Sequence, residues 1–288
     1  MDKCALCEKE KDLQNSHIIP KFVYSWIKKT SATGYIRQAI SPNLRVQDGI
    51  KDKFLCQSCE NLFSKYERYF ANTIFYPYAD NKEKTIKYDD KLQKFIISLS
   101  WRILKKELGG FEKRNPEMYP YVEEAERYWR NILLSNKKDD RYEHHLFLFE
   151  YIDKGKTTVS LPDKYQWYML RGTDGTIASS RKEAFLFSRI PHFLMVSSIF
   201  PEKMRGWENT LITESGILGD KSQKIYQPGF GEFLVSRVEF LQKNSASKIQ
   251  KDKIFQTMLK DLDRVRKSKS FELILEEEKG KNIKDEDD

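Results

Sequence analysis

The sequence predicts an α+β fold: a small cysteine-stapled module at the N-terminus, followed by an α+β domain in which amphipathic helices flank an antiparallel sheet. Three observations carry this. All four cysteines fall in two C-x-x-C pairs, Cys4 with Cys7 and Cys56 with Cys59. A helical apolar period between Leu92 and Leu134 gives way to strand-like stretches after Asp140 and returns beyond Glu232. Finally, 288 residues with 39% hydrophobic content exceed one average domain and suffice for a packed core. The expected division is residues 1–80, residues 81–275, and a charged, disordered tail over residues 276–288.

Each C-x-x-C pair offers two thiolates from one tight turn, so the two together predict one tetrahedral structural zinc site on Cys4, Cys7, Cys56 and Cys59. Two disulfides, or four unrelated buried thiols, are the plainer alternatives. Neither accounts for two identical spacings. The long segment between Cys7 and Cys56 then has to be a structured excursion rather than a finger loop.

Beside the pairs stand SHIIP at Ser16 to Pro20, SPNLR around Asn43, and CQSCEN at Cys56 to Asn61. Together these resemble the zinc-stapled form of the HNH, or ββα-metal, endonuclease motif, over roughly residues 1–75. The resemblance implies His17 as general base at the end of the first strand of a hairpin. It implies Asn43 as the middle Asn that orients the base, and Glu60 in the final His position, on the helix entered from the second knuckle. Glu60 would hold a catalytic Mg²⁺ or Mn²⁺. Two positions depart from the pattern: Ser16 stands where many members carry an acidic metal ligand, and Glu60 where they carry His. A hydroxyl is a poor ligand for a hard cation and a carboxylate a good one. The expected cation site therefore leans on Glu60, with Asn61, Glu67 or a recruited group as further candidates.

The chemistry has reasons to want this set. Phosphodiester hydrolysis needs a water deprotonated near neutral pH, for which imidazole has a suitable pKa, and a cation to stabilise charge on the leaving oxygen. The plainer reading of His17 is a histidine capping a strand; that of Glu60 is an acidic residue favoured by the helix dipole. Lys28, Lys29, Arg37 and Arg45 are the basic side chains nearest the proposed site in sequence, and phosphate contact and a solvated face are both open readings for them. The expected activity is a metal-dependent endonuclease acting on nucleic acid, double-stranded DNA before RNA, in a setting such as phage defence or a mobile element. The rival is a non-catalytic zinc-binding adaptor for nucleic acid or protein.

The formal net charge is +8, and the tail EEEKGKNIKDEDD is acidic, so the rest of the chain is more basic still. That balance suits a polyanionic partner. A protein partner or self-association through residues 81–275 is also open. Since the longest apolar run is FLMVSSIF, at Phe193 to Phe200, no membrane span is expected. The N-terminus MDKCALCEKEKD has no cleavable-signal pattern. A reducing, cytoplasmic location, where thiolates are free to bind zinc, is the expectation.

Along the chain, helices are expected at Lys21 to Lys29, from Cys59 through Ile74, and from Leu92 to a stop at Gly109-Gly110. Further helices are expected at Tyr119 to Leu134, Glu232 to Leu241 and Lys248 to Arg266. Strands are expected at Tyr35 to Ile40, Lys53 to Leu55, His144 to Ile152, YQWYMLRG at Tyr165 to Gly172, TIASS after an Asp174-Gly175 turn, His192 to Phe200 and Asn209 to Gly216. His144, His145 and His192 read as strand residues rather than ligands.

Overall fold

The computed structural model describes residues 2–38, 41–135, 137–150, 159–163 and 165–282. It is a mixture of helices and small antiparallel sheets, as an α+β fold requires. Two compact units divide the chain: Met1–Pro20, Ile50–Glu150 and Thr173–Phe230 form the first, and Lys21–Gly49, Tyr151–Gly172 and Gly231–Asp288 the second. The expected boundary at residue 80 falls inside the first unit. Of the excursion between the two cysteine pairs, Lys21–Gly49 belongs with the C-terminal helices.

The first unit opens with strands β1 (Asp2–Lys3), β2 (Glu10–Lys11) and β3 (Leu13–His17). The chain then contributes α1 (Lys21–Lys29), β4 (Ile36–Gln38) and β5 (Ser41–Val46) to the second unit. It returns with β6 (Lys51–Cys56), α2 (Gln57–Tyr69), a π-helical turn (Phe70–Phe75), α3 (Tyr76–Ala79), β7 (Ile86–Tyr88), α4 (Lys91–Arg114), α5 (Tyr119–Leu134) and β8 (His144–Leu148). Helix α6 (Tyr165–Arg171) lies in the second unit. Strands β9 (Asp174–Ser179), β10 (Ala184–Ile190), β11 (Phe193–Phe200), β12 (Trp207–Glu208), β13 (Gly216–Leu218) and β14 (Lys224–Ile225) lie in the first. Helices α7 (Phe230–Gln242), α8 (Lys248–Leu259), α9 (Leu262–Arg266) and α10 (Lys269–Asn282) follow and, Phe230 apart, complete the second unit.

Helix α4 organises the first unit. Every residue from Leu92 to Leu104 is buried, and a helix surrounded on all sides belongs in a core. It packs against α2, α5 and the four-stranded antiparallel sheet β8-β11-β10-β9. In front of it, the Phe70 ring stacks on Phe95 at 3.9 Å and meets Phe193 edge-on at 5.3 Å. Its buried Lys94 is satisfied: Nζ donates to the carbonyls of Ile132 (2.8 Å), Ser135 (3.3 Å) and Lys137, closing the C-terminus of α5.

Several expectations are corrected here. Helix α4 does not stop at Gly109-Gly110 but runs on to Arg114, because Phe111 beyond the glycines is buried. Residues Tyr165–Arg171 form α6 rather than a strand: Tyr165, Tyr168 and Met169 are buried at helical i, i+3, i+4 spacing, which outweighs their aromatic composition. Asp174 and Gly175 open β9 instead of making a turn, and the run at Ala184–Ile190 supplies a strand that was not expected. Asn209 to Gly216 contributes one bridge, Leu211 to His145, before β13 pairs with β7. The piece SPNLR is itself in a strand, β5.

In the second unit, two arginines close the C-terminus of α1. Arg171 donates to Ile27 O (3.0 Å) and Thr30 Oγ1 (2.6 Å), and Arg264 donates to Lys28 O (3.1 Å) and Ser31 O (3.2 Å). Gly34 turns the chain there at φ +73°, and a Cβ on it would come within 3.0 Å of the Arg264 guanidinium. The expected single helix from Lys248 to Arg266 is broken after Leu259, where Asp261 Oδ1 accepts from Arg264 N at 3.0 Å and starts α9. Helix α10 runs on through the first part of the charged tail as far as Asn282. Leu273 is buried and the Trp167 indole donates to Glu277 Oε2 at 3.3 Å, which anchors that helix. Residues 283–288 lie outside the described residues, as do residues 151–158, where the end of the strand expected from His144 to Ile152 falls.

Candidate metal centre and active site

The first knuckle is a tight turn. Cys4 N donates to Lys9 O (3.0 Å), Glu8 N donates to Cys4 O (2.9 Å), and Glu8 takes the left-handed conformation, φ 57°. The second knuckle is the start of α2, with Cys56 as the residue before the first turn and Cys59 within it. A β-bulge joins the two. The pairing of β3 with β6 shifts between Gln14, opposite Leu55, and Asn15, opposite Lys53, which takes Phe54 out of register. Its freed carbonyl accepts from Ala5 N of the first knuckle at 3.0 Å, and its ring packs on Trp101 at 5.5 Å.

The outcome is a four-cysteine cluster. The Sγ atoms of Cys4, Cys7, Cys56 and Cys59 all lie within 4.8 Å of one another, and Cys7 Sγ is 3.8 Å from Cys56 Sγ. A tetrahedron with metal–sulfur bonds of about 2.3 Å has edges of about 3.8 Å. All four are free thiols, so the disulfide alternative is set aside. Burial pushes the Cys4 and Cys59 thiols up. At Cys56 burial also acts upward, but hydrogen bonds from Ser58 and from the Cys59 backbone prevail and bring it down to about 6. Four such sulfurs cannot all ionise at this separation without a cation among them. The residues fit a structural metal ion such as zinc.

His17 is the last residue of β3, opposite Lys51 at the start of β6, and β6 runs directly into α2 with Glu60 in its first turn. The chain thus builds two antiparallel strands and a helix around the staple. The backbone end of β3 is held by Arg102 from α4, whose Nη1 donates to His17 O (3.0 Å) and to Glu67 Oε1 (2.7 Å) while Nε donates to Ser98 O (3.1 Å). Glu67 is therefore tied to a buried guanidinium rather than offered to a metal. Ser16 is 1% exposed and its Oγ accepts from Leu55 N at 3.2 Å, so its side chain braces the ribbon. Asn61 Oδ1 accepts from Gln57 Nε2 at 2.9 Å. Among the described residues, only the four cysteines gather three or more metal-binding side chains, so no second protein cage surrounds Glu60.

The other expected site residues lie in the second unit. Asn43 is on β5, and its Oδ1 accepts from Ser247 N at 2.8 Å. Lys28 Nζ donates to Gln47 O at 2.9 Å, and Lys29 is exposed at the end of α1. Arg37 and Arg45 sit directly opposite each other in the β4–β5 pair. Arg37 Nη1 donates to the carbonyls of Pro42 (3.1 Å) and Asn43 (3.3 Å), while Arg45 lies over the Tyr35 ring at 4.1 Å.

One constellation was not anticipated. Ser197 Oγ is 2.8 Å from His144 Nδ1, and His144 Nε2 is 3.0 Å from Asp139 Oδ2, the order of a nucleophile, base and orienting acid. The His144 and Asp139 side chains are 0% exposed and Ser197 is fully enclosed, so no substrate reaches them. Asp139 Oδ1 also accepts from Arg141 N and Tyr142 N, and Ser100 Oγ is 2.8 Å from Ser197 Oγ. The cluster is a polar clasp between α4 and the sheet, and the reading of His144 as a strand residue stands.

Comparison with protein-family models, curated proteins and solved structures gives no match for the chain. No helix among the described residues is long and apolar enough to cross a membrane.

Proposed function

We propose that the chain is a metal-dependent endonuclease of the HNH type that hydrolyses phosphodiester bonds in nucleic acid, DNA in preference to RNA. The observation that carries this is the β3–β6–α2 arrangement on the cysteine staple, with His17 ending the first strand and Glu60 in the first turn of the helix. In this reading His17 takes a proton from the attacking water and Glu60 holds Mg²⁺ or Mn²⁺. A lone carboxylate suits Mg²⁺, which keeps several waters and completes its shell with substrate phosphate oxygens. The zinc stays structural. The resemblance assigns the orienting role to Asn43, whose Oδ1 accepts from Ser247 N within the second unit; Lys28, Lys29, Arg37 and Arg45, also in that unit, are assigned phosphate contacts.

The second reading, a non-catalytic zinc-binding adaptor, draws on Ser16, whose hydroxyl is engaged by Leu55 N where many HNH enzymes place a metal ligand. Incubating zinc-loaded protein with supercoiled plasmid and Mg²⁺ or Mn²⁺ separates the two. A nuclease nicks or linearises the plasmid, and Glu60→Ala shifts the required metal concentration upward, with partial rescue by Mn²⁺. Plasmid binding without cleavage under any divalent ion supports the adaptor instead.

A further inference from the structure

The second unit carries a groove of about 610 Å³, a size ordinary for ligand sites, between the β4–β5 hairpin and helix α8. Its lining includes Tyr35 and Arg45 from the hairpin, Asp252, Lys253 and Gln256 from the helix, and Lys260 at its C-terminal cap. We infer that this groove binds a single unpaired strand of nucleic acid, with phosphates on Arg45, Lys253 and Lys260 and a base against the Tyr35–Arg45 pair. The inference rests on the nucleic-acid reading above and adds the form of the strand and the place where it binds.

Four features support it. Arg37 and Arg45 are directly opposite across the hairpin, where like charges are unfavourable unless an anion is nearby. Burial, and then Arg45, hold the Arg37 guanidinium below its usual pKa. Tyr35 remains 43% exposed although Arg45 lies 4.1 Å over its ring, so an aromatic and a guanidinium plane stand together at the groove's edge. The groove wall is fixed: Asn43 Oδ1 accepts from the backbone of Ser247, whose hydroxyl in turn accepts from Gln250 N at 3.3 Å and caps α8. Finally, α8 has no buried residue among those described, and Lys253 on the helix and Lys260 at its C-terminal cap are both exposed.

Stacking needs the face of a base. A duplex hides those faces and an unpaired strand offers them, which selects the single strand over the double helix. Among the described lining residues Asp252 is the one carboxylate, against three cationic side chains, so the groove favours a polyanion.

The test is fluorescence anisotropy of the full chain with a labelled single-stranded oligonucleotide and with the same sequence as a duplex, free of divalent ions other than the bound zinc. Tyr35→Ala should weaken single-strand binding by roughly 5- to 100-fold with an unchanged salt slope. Lys253→Gln/Lys260→Gln should flatten the dependence of log K on log salt by about 1.4, two phosphates at about 0.7 each. Both variants should lose less on the duplex, with melting temperature and zinc content unchanged. Parent-like single-strand affinity and slope in both variants overturn the inference. So does preferential binding of an acidic peptide, abolished by the lysine pair. If the parent protein cuts nothing and the variants still lose strand binding, the nuclease reading falls and the groove stands. If the parent cuts and the variants bind as the parent does, the groove falls and the nuclease reading stands.

Discussion

Arg102 does at a single position what no motif announces: it ties the end of β3, the acid Glu67 on α2 and its own helix α4 through one guanidinium 3% exposed. Removing it leaves Glu67, 22% exposed, beside an empty space, so Arg102→Ala should destabilise the first unit by about 2 to 3 kcal/mol in urea titration. A change below ~0.5 kcal/mol contradicts this role. The spacing was present in the sequence, since Arg102 lies seven residues after Phe95 and three after Leu99 on the buried face. Its polar partners are far away in sequence, however, and only folding brings them together. By contrast the four cysteines were legible, because two identical short spacings already encode two half-sites. Ser16, a departure from the HNH pattern, turns out to brace the backbone of β6.

At the scale of an element, α4 shows why glycine punctuation misled. Gly109 and Gly110 are exposed, have nothing within 4 Å of a built Cβ, and sit in helical backbone that Phe111 continues into the core. Each glycine gives the unfolded chain extra freedom, so Gly109→Ala and Gly110→Ala should each stabilise the protein by about 0.5 to 1 kcal/mol, read as a raised melting temperature. A lowered melting temperature for either contradicts an uninterrupted helix. Strand β8 gives a pH dependence. His145 is buried with Nδ1 at 2.9 Å from Thr210 Oγ1 and Nε2 at 3.4 Å from Glu143, and burial lowers its pKa below 6.5 despite that carboxylate. The unfolded chain takes up the proton at about 6.5 while the native one resists, so this contribution is complete above pH 6.5 and is lost as the pH falls through the lower folded value. Stability should therefore drop as the pH falls below 6.5, and less steeply in His145→Gln. Equal slopes in the two proteins contradict this. Helix α5 was read at its observed bounds and α4 near its start, whereas α6 was taken for a strand because aromatic composition spoke louder than its i, i+3, i+4 spacing.

For the whole molecule, the division into units was the least legible feature. The chain leaves the first unit after Pro20 and returns at Ile50, and a composition scan along the sequence cannot see which distant segments share a core. The staple is what lets β3 and β6 meet across that excursion. Elemental analysis should give about one zinc per chain, and Cys56→Ala should lose the metal and unfold the stapled region, because such coordination contributes on the order of ten kcal/mol. Less than about half a zinc per chain, in protein never exposed to chelator, contradicts it. The central claim is that His17 activates water for phosphodiester cleavage, and it is met most directly by comparing plasmid cleavage rates of the parent protein and His17→Ala, both zinc-loaded and with matched melting temperatures, in saturating Mg²⁺. The account predicts a fall of ~10²- to 10⁴-fold with DNA binding retained and no rescue by Mn²⁺. Cleavage by His17→Ala at the parent's rate contradicts it.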